Sequence, residues 1–330
     1  MRDPRAPGRR GLLILGAPAA AAALPRPAAA QRFPERPVRL VVPFAPGGSS
    51  DLAARLIAEP MAERLGQPVV VENRAGAGGT LGAELVARAA PDGHTMLIAA
   101  TGALTINPHV TPGTAFDPRR DLAPVCRVFT TDHALVVTPS LPARSLAEFI
   151  ALAKARPGQV SFASSGPATT LHLFGELFRL QAGVDITHVP YRGNAPAMTD
   201  LLAGTVQSMF DQLIISGPYI QAGRLRALCV TGAARNAQFP EIPTAAESGL
   251  PDFVVTSWNA LVVPAGTPAP VVARLNEACA AALAVPAVRE RMLATGAEPA
   301  PSSVEALAAL LAAEYERWGR VVREAKVTVN

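Results

Sequence analysis

The segment that most constrains this chain is a short strand pattern followed by a loop rich in glycine and proline. Val38–Val42 is a β-branched run typical of a buried strand. Two prolines and two glycines at residues 43–48 then interrupt regular structure, and apolar residues at helical spacing extend over residues 52–65. We expect Ser49 or Ser50 to cap this helix, because their side chains suit that position. The free backbone N–H groups of the helix would then face an anion.

The same alternation of strand and helix patterns continues along the chain and predicts an α/β fold. Strand patterns at residues 69–71 and 95–99 alternate with helix patterns, as in a parallel layer. A second unit of the same kind follows, and a long apolar run at residues 254–263 leads back to the first. We therefore predict two α/β lobes joined by crossover strands, with the second inserted in the first: lobe 1 at 31–132 and 252–330, and lobe 2 at 133–251.

Residues 1–30 have the pattern of a signal peptide. Arg9 and Arg10 precede an apolar run and an alanine-rich tract that closes on Ala28-Ala29-Ala30. The paired arginines also resemble a twin-arginine signal. Cleavage near Ala30 would release an exported, soluble protein, whereas a disordered Ala/Pro tail is the alternative interpretation.

The charge distribution argues against nucleic acid as a partner. The formal net charge is +4, from 30 basic and 26 acidic residues. Residues 1–30 hold five of the basic and one of the acidic residues, so the rest of the chain balances at 25 of each. A neutral mature chain lacks the basic surface that binds phosphate backbones.

Four patterns could carry chemistry, and each has a simpler interpretation. Ser164 and Ser165 follow a strand, but no G-x-S-x-G elbow occurs, so a helix-capping loop that binds an anion is favoured over a hydrolase. Gly76–Gly82 imitates a dinucleotide fingerprint with the wrong spacing. Neither the five histidines nor the three cysteines have metal-ligand spacing, and we expect the cysteines to be buried. Asp211 follows an apolar strand at 206–210. Its interpretation as a ligand contact and its interpretation as a turn cap are equally favoured.

A set of short motifs, in order along nearly the whole mature chain, resembles the Bug family of extracytoplasmic solute receptors of tripartite tricarboxylate transporters. The motifs are VVPFAPGG (41–48), GQPVVVENRAGAGG (66–79), APDG (90–93), SSG (164–166), HVPYRG (188–193), APAMTDLL (195–202), MFD (209–211) and PAGTP (264–268).

The resemblance implies a two-lobed periplasmic-binding-protein fold of type II that holds a small carboxylate mainly with backbone N–H groups. It implies no catalytic residue, metal or cofactor, and a monomer that serves the membrane components of such a transporter. Di- and tricarboxylates, aromatic carboxylates and amino acids stay open as ligands. A sensor for a signalling partner and an exported α/β enzyme are the alternative functions. The predicted ligand-binding residues are Phe44, Ala45, Gly47, Gly48, Ser49, Asp51, Thr101, Ser164, Ser165, Thr169, Thr170, Tyr191 and Asp211.

Overall fold

Two β-sheets, each packed against helices, organise the structure, a computed structural model that describes residues 33–111 and 116–328. The predicted signal peptide and its cleavage near Ala30 lie outside the described residues. The strands of the six-stranded sheet are β1 (Val38–Val42), β2 (Val69–Asn73), β3 (Thr95–Ala100), β4 (Leu122–Thr131), β10 (Ser257–Pro264) and β11 (Glu298–Pro299). Those of the five-stranded sheet are β5 (His133–Val137), β6 (Ser161–Ser164), β7 (Thr187–Pro190), β8 (Ser208–Gln212) and β9 (Arg226–Val230).

The strand orders explain where a ligand site can form. The first sheet has the order β11-β4-β10-β3-β1-β2, with β1 parallel to β2 and β3, and the second has the order β7-β6-β8-β5-β9, with β6 parallel to β7 and β8. In the first sheet, β2 and β3 therefore lie on opposite sides of β1. In the second sheet, β7 and β8 lie on opposite sides of β6. Open α/β sheets bind ligands at such switch points, beyond the carboxyl ends of the strands.

Helices form the crossovers between parallel strands and cover the faces of both sheets. A 3₁₀ turn at Ala77–Gly79 and a π-helical segment at Gly102–Ile106 supplement them. The α-helices are α1 (Ser49–Leu65), α2 (Thr80–Ala87), α3 (Asn107–Val110), α4 (Pro118–Asp121), α5 (Leu146–Ala155), α6 (Thr170–Ala182), α7 (Asn194–Ala203), α8 (Leu213–Gln221), α9 (Ala269–Ala284), α10 (Pro286–Leu293) and α11 (Val304–Glu324).

The chain crosses between the sheets twice. It leaves the first sheet at Thr131 and enters the second at His133, and it returns to the first at Ser257. The prediction of a second α/β unit inserted in the first is therefore confirmed. The exact lobe boundaries at 132/133 and 251/252 stay a prediction, because α11 packs Leu307 into the core of the first sheet and Trp318 into the core of the second.

The three cysteines are free, and they are buried, as predicted. Within the described residues, no single helix is long and apolar enough to cross a membrane; α9 and α10 meet that test only as a pair bent by 73°.

Candidate functional site

A cavity of about 430 Å³ lies where the switch points of the two sheets face each other. Seven of the predicted ligand-binding residues line it: Phe44, Gly48, Ser49, Thr101, Ser165, Thr169 and Thr170. The cavity also includes Thr131, His133 and Ser257, from the two crossover segments. Residues of both lobes and of the connections between them therefore share one pocket.

The first wall of the cavity is the N-terminus of α1. The helix begins at Ser49, and its N-cap is Gly48, with no capping side chain, rather than the serine that the sequence pattern suggested. Gly48 has extended backbone angles, and it lines the pocket together with Ser49 and Ser50, whose N–H groups have no partner within the helix. The preceding Gly47 has a φ of 91°, a left-handed conformation that favours glycine.

Asp51 fixes this loop from behind instead of lining the cavity. Its carboxylate accepts hydrogen bonds from the Gly47 backbone N–H (2.9 Å) and from Asn73 Nδ2 (2.9 Å), and it pairs with Arg55. Asn73 also donates to the carbonyl of Phe44 (3.1 Å). These bonds join the loop to the end of β2 and lower the pKa of the buried Asp51 carboxyl, although burial opposes them.

The second wall is the N-terminus of α6, from the other lobe. Thr169 caps this helix by accepting a hydrogen bond from the His172 backbone N–H (3.5 Å). Its hydroxyl donates to the carbonyl of Gly166 (2.8 Å), which closes the preceding turn. Ala168 has a φ of 55°, an unusual conformation that the turn imposes on a non-glycine residue.

The electrostatics of the cavity come from the backbone. Among the described residues that line it there is no Asp, Glu, Lys or Arg, and His133 is the one titratable side chain. Two helix N-termini contribute partial positive charge and unpaired N–H donors from opposite sides. Such an arrangement suits a small anion and needs no arginine clamp.

Six predicted site residues lie outside the cavity lining. Ala45 and Gly47 are exposed, and Asp51 lies behind the first loop, bonded to the Gly47 backbone N–H. Tyr191 donates its hydroxyl to Asp200 Oδ2 (2.7 Å), and burial together with this carboxylate raises the pKa of Tyr191 to about 12. The remaining two, Ser164 and Asp211, are fully buried. The participation of these residues in binding stays a prediction.

Ser164 makes a contact that the sequence did not reveal. Its Oγ lies 2.7 Å from His188 Nε2 and also donates to the carbonyl of Gly166 (3.0 Å). Ser164 is 0% exposed and its hydroxyl is already bonded to the Gly166 carbonyl, so the pair holds the loop rather than presenting an accessible nucleophile. Burial lowers the pKa of His188 to about 4.

Asp211 lies inside β8, not after it, which corrects the predicted end of that strand. It pairs with Ala134 of β5, and its Oδ1 accepts a hydrogen bond from Asn194 Nδ2 (2.8 Å). Asn194 lines the cavity, so Asp211 lies one residue behind the wall. Burial raises the pKa of Asp211 to about 6, against the effect of Asn194.

Several polar lining residues were missed from the sequence, among them Ser50, His133, Ser257 and Asn259. Ser50 Oγ donates to Asn259 Oδ1 (2.8 Å), which joins α1 to β10. Polar residues at the start of an otherwise apolar strand, as in β10, are the signal that could have pointed to them.

The glycine-rich turn at Gly76–Gly82 packs against the first loop and does not line the cavity. A Cβ at Gly82 would lie 2.7 Å from Pro43 Cβ, so glycine there permits close packing. This is the simpler of the two interpretations of the motif.

A larger cavity, of about 600 Å³, opens on the opposite side of the crossover segments. It includes Thr130, Asp132 and Thr256, which alternate with the residues that face the first cavity. Three of its charged side chains already have partners: Asp132 accepts from Asn236 (2.9 Å), Arg235 pairs with Glu247 (2.9 Å) and Arg127 donates to the carbonyl of Ala300 (3.0 Å). The cavity between the helix N-termini is therefore the better candidate for a ligand site.

Two α/β lobes with a cavity between them define the class of periplasmic solute-binding proteins. The solved structure of the periplasmic binding protein BugD is similar over 90% of this chain and 99% of that chain, at 36% identity and a TM-score of 0.72. This protein is accordingly a periplasmic solute-binding protein of that fold.

Its family follows from the sequence match. Residues 53–327 match the model of the tripartite tricarboxylate transporter family receptor, and the chain belongs to this family. It is 40% identical to the protein BugT of Bordetella pertussis over 96% of this chain and 97% of that protein. The structure of R. palustris Rpa4515 with adipate covers 90% of this chain and 99% of its own, at 38% identity and a TM-score of 0.75.

Proposed function

We propose that this protein captures a small carboxylate in the periplasm and delivers it, as a monomer, to the membrane components of a tripartite tricarboxylate-type transporter. The convergence of the α1 and α6 N-termini on a cavity without charged side chains carries the proposal. The adipate bound by Rpa4515 supports the same ligand class. The role is binding alone, without catalysis, metal or cofactor.

Capture would involve closure of the lobes. The two crossover segments, at residues 131–133 and 254–257, are the points where a hinge can act. A ligand held by donors of both lobes stabilises the closed arrangement, which the transporter then recognises. We propose that one lobe consists of residues 31–132 and 252–330 and the other of residues 133–251. Cleavage near Ala30 would release this two-lobed protein from its signal peptide.

The test removes single backbone donors without removing the helices. Ser49 and Thr170 are the first residues of α1 and α6, a position that tolerates proline because its N–H has no partner within the helix. The preceding residues, Gly48 and Thr169, have extended angles (ψ of 170° and 162°) that suit a following proline. Ser49→Pro and Thr170→Pro should each weaken carboxylate binding about tenfold or more in calorimetric titration, the effect of a lost hydrogen bond to a charged group.

Two controls isolate the backbone effect. Ser49→Ala removes the same hydroxyl but keeps the N–H, and it should bind more tightly than Ser49→Pro. Val304→Pro places proline at the first position of α11, whose cap Ser303 has a similar ψ of 165°, and should leave affinity unchanged. Equal affinity of Ser49→Pro, Thr170→Pro and the wild type would refute binding at these helix ends.

A further inference from the structure

His133 is both a lining residue of the ligand cavity and part of the connection between the lobes. It lies at the crossover from β4 to β5, is 1% exposed, and packs edge-on against Phe174 of α6 with ring centroids 4.9 Å apart. The ring thus has a fixed orientation at the junction of the two sheets.

Two hydrogen bonds determine which ring nitrogen carries a hydrogen. Nδ1 lies 3.1 Å from the carbonyl oxygen of Thr131, and Nε2 lies 3.3 Å from Ser257 Oγ. A carbonyl oxygen can only accept, so Nδ1 carries a hydrogen in either charge state. In the neutral ring Nε2 is an acceptor, and the Ser257 hydroxyl therefore points its hydrogen at the ring and only lone pairs at the cavity.

The free ring is neutral because burial lowers the pKa of His133 to about 4. The elements around it carry, among other charged and titratable groups, Asp132 beside it, Asp211 on β8, His172, Glu176 and Arg179 on α6, and Glu314 and Arg317 on α11. The cations of this set already pair with acids, Arg179 with Glu176 (2.8 Å) and Arg317 with Glu314 (3.1 Å). Within the described part of the chain no Lys or Arg lines the cavity, so a ligand carboxylate at Ser257 would meet no cation there.

A proton on Nε2 changes what this part of the cavity offers. The ring then donates to Ser257 Oγ, and the Ser257 hydroxyl hydrogen becomes free to turn towards the ligand. A carboxylate only accepts hydrogen bonds, so it favours this arrangement, and its negative charge favours the protonated ring. Binding of a carboxylate and binding of a solvent proton therefore assist each other.

We propose that His133 and Ser257 form a proton-linked subsite for a second carboxylate of the ligand, so that a dicarboxylate is captured together with one proton from solvent. The inference rests on the proposed function, with the first carboxylate at the α1 and α6 N-termini. It narrows the ligand class to dicarboxylates in preference to monocarboxylates.

The test is calorimetry in buffers of different ionisation enthalpy, with the matched probes adipate and hexanoate, and succinate and butyrate. Dicarboxylate binding should take up about one proton per ligand at about pH 6, and monocarboxylate binding none. His133→Gln should abolish the uptake and weaken dicarboxylate binding about tenfold, with monocarboxylate binding unchanged. His94→Gln, directly before β3 and at the end of that strand away from the cavity, is the matched control and should retain the uptake.

Ser257→Ala is the second variant if His133→Gln fails to fold, because it leaves the buried ring in place. It removes the hydroxyl and should likewise weaken dicarboxylate binding. Dicarboxylate binding without proton uptake overturns the subsite but leaves the proposed function intact. Uptake that survives in His133→Gln and disappears in Asp211→Asn also overturns it, since the proton then belongs to Asp211. Failure of the wild type to bind any carboxylate overturns the proposed function, and the subsite with it.

Discussion

At the scale of single residues, Asp211 is the side chain whose burial has the clearest energetic consequence. It is 0% exposed, and its Oδ2 has no hydrogen-bond partner. Its pKa rises from 3.8 to about 6 in the folded protein, so the folded state binds the proton more tightly than the unfolded state does. Its contribution to stability is therefore present below pH 3.8 and is lost as the pH rises through about 6.

Asp211→Asn should stabilise the protein at neutral pH. The neutral amide has no charge to desolvate, keeps an acceptor for Asn194 Nδ2, and adds a donor for Asn194 Oδ1, which lacks a partner. We expect the free energy of unfolding at about pH 7.5 to rise by up to about 3 kcal/mol, from a shift of roughly two pKa units. The gain should vanish below about pH 4, where wild-type Asp211 is protonated.

Urea denaturation at several pH values measures this gain. Asp185→Asn, which neutralises an exposed acid of the same lobe, is the control and should change stability little at any pH. A variant Asp211→Asn that is less stable than the wild type at neutral pH would show that the carboxylate is favourably solvated or paired.

At the scale of secondary-structure elements, α1 combines a functional N-terminus with an internal proline. The helix runs unbroken from Ser49 to Leu65 although Pro60 lies inside it. Proline has no N–H for the carbonyl four residues earlier, that of Leu56, and its ring crowds the same carbonyl. The packing of this helix against the first sheet therefore offsets an intrinsic cost of the proline.

Pro60→Ala should raise the free energy of unfolding by about 1–3 kcal/mol. The upper value is the penalty of proline in a helix interior, and the lower value applies where packing around Pro60 already relieves part of that penalty. Ligand affinity should not change, because the substitution lies three turns from the cavity. Pro270→Ala is the matched control: Pro270 lies in the first turn of α9, where no hydrogen bond is lost. A gain for Pro60→Ala no larger than that for Pro270→Ala would contradict this account of α1.

The same elements show what a sequence can predict. The β1–loop–α1 unit was predicted closely because a β-branched run, a glycine-proline loop and helical spacing follow one another locally. The lining role of His133 and Ser257 was missed, because it depends on crossover geometry and on the pairing of β10 with β3 and β4, strands more than 120 residues apart. The end of β8 was misplaced because an aspartate suggested a turn, whereas pairing with Ala134 keeps it in the strand.

At the scale of the whole molecule, α11 bridges the two cores. Leu307, near its start, packs with residues of the first sheet, and Trp318 stacks on Phe174 in the second, with centroids 5.6 Å apart. Trp318 Nε1 also donates to Glu314 Oε2 (2.8 Å). The closure that we propose would therefore rotate the lobes about residues 131–133 and 254–257, with α11 crossing the same junction.

Small-angle scattering should show the closure as a decrease in radius of gyration when a carboxylate that binds the protein is added to its ligand-free form. The diamide of the same carbon skeleton, which carries no charge, should leave the scattering unchanged. Identical curves with and without a carboxylate that binds by calorimetry would mean that the lobes do not move on binding.

The central claim, that a carboxylate is held between the N-termini of α1 and α6, is tested most directly by a crystal structure with a bound dicarboxylate. The account predicts carboxylate oxygens within hydrogen-bonding distance of backbone N–H groups in both residues 48–50 and residues 169–171. A ligand that contacts only one of these two segments, or that lies in the larger cavity beside Asp132 and Arg235, would contradict it.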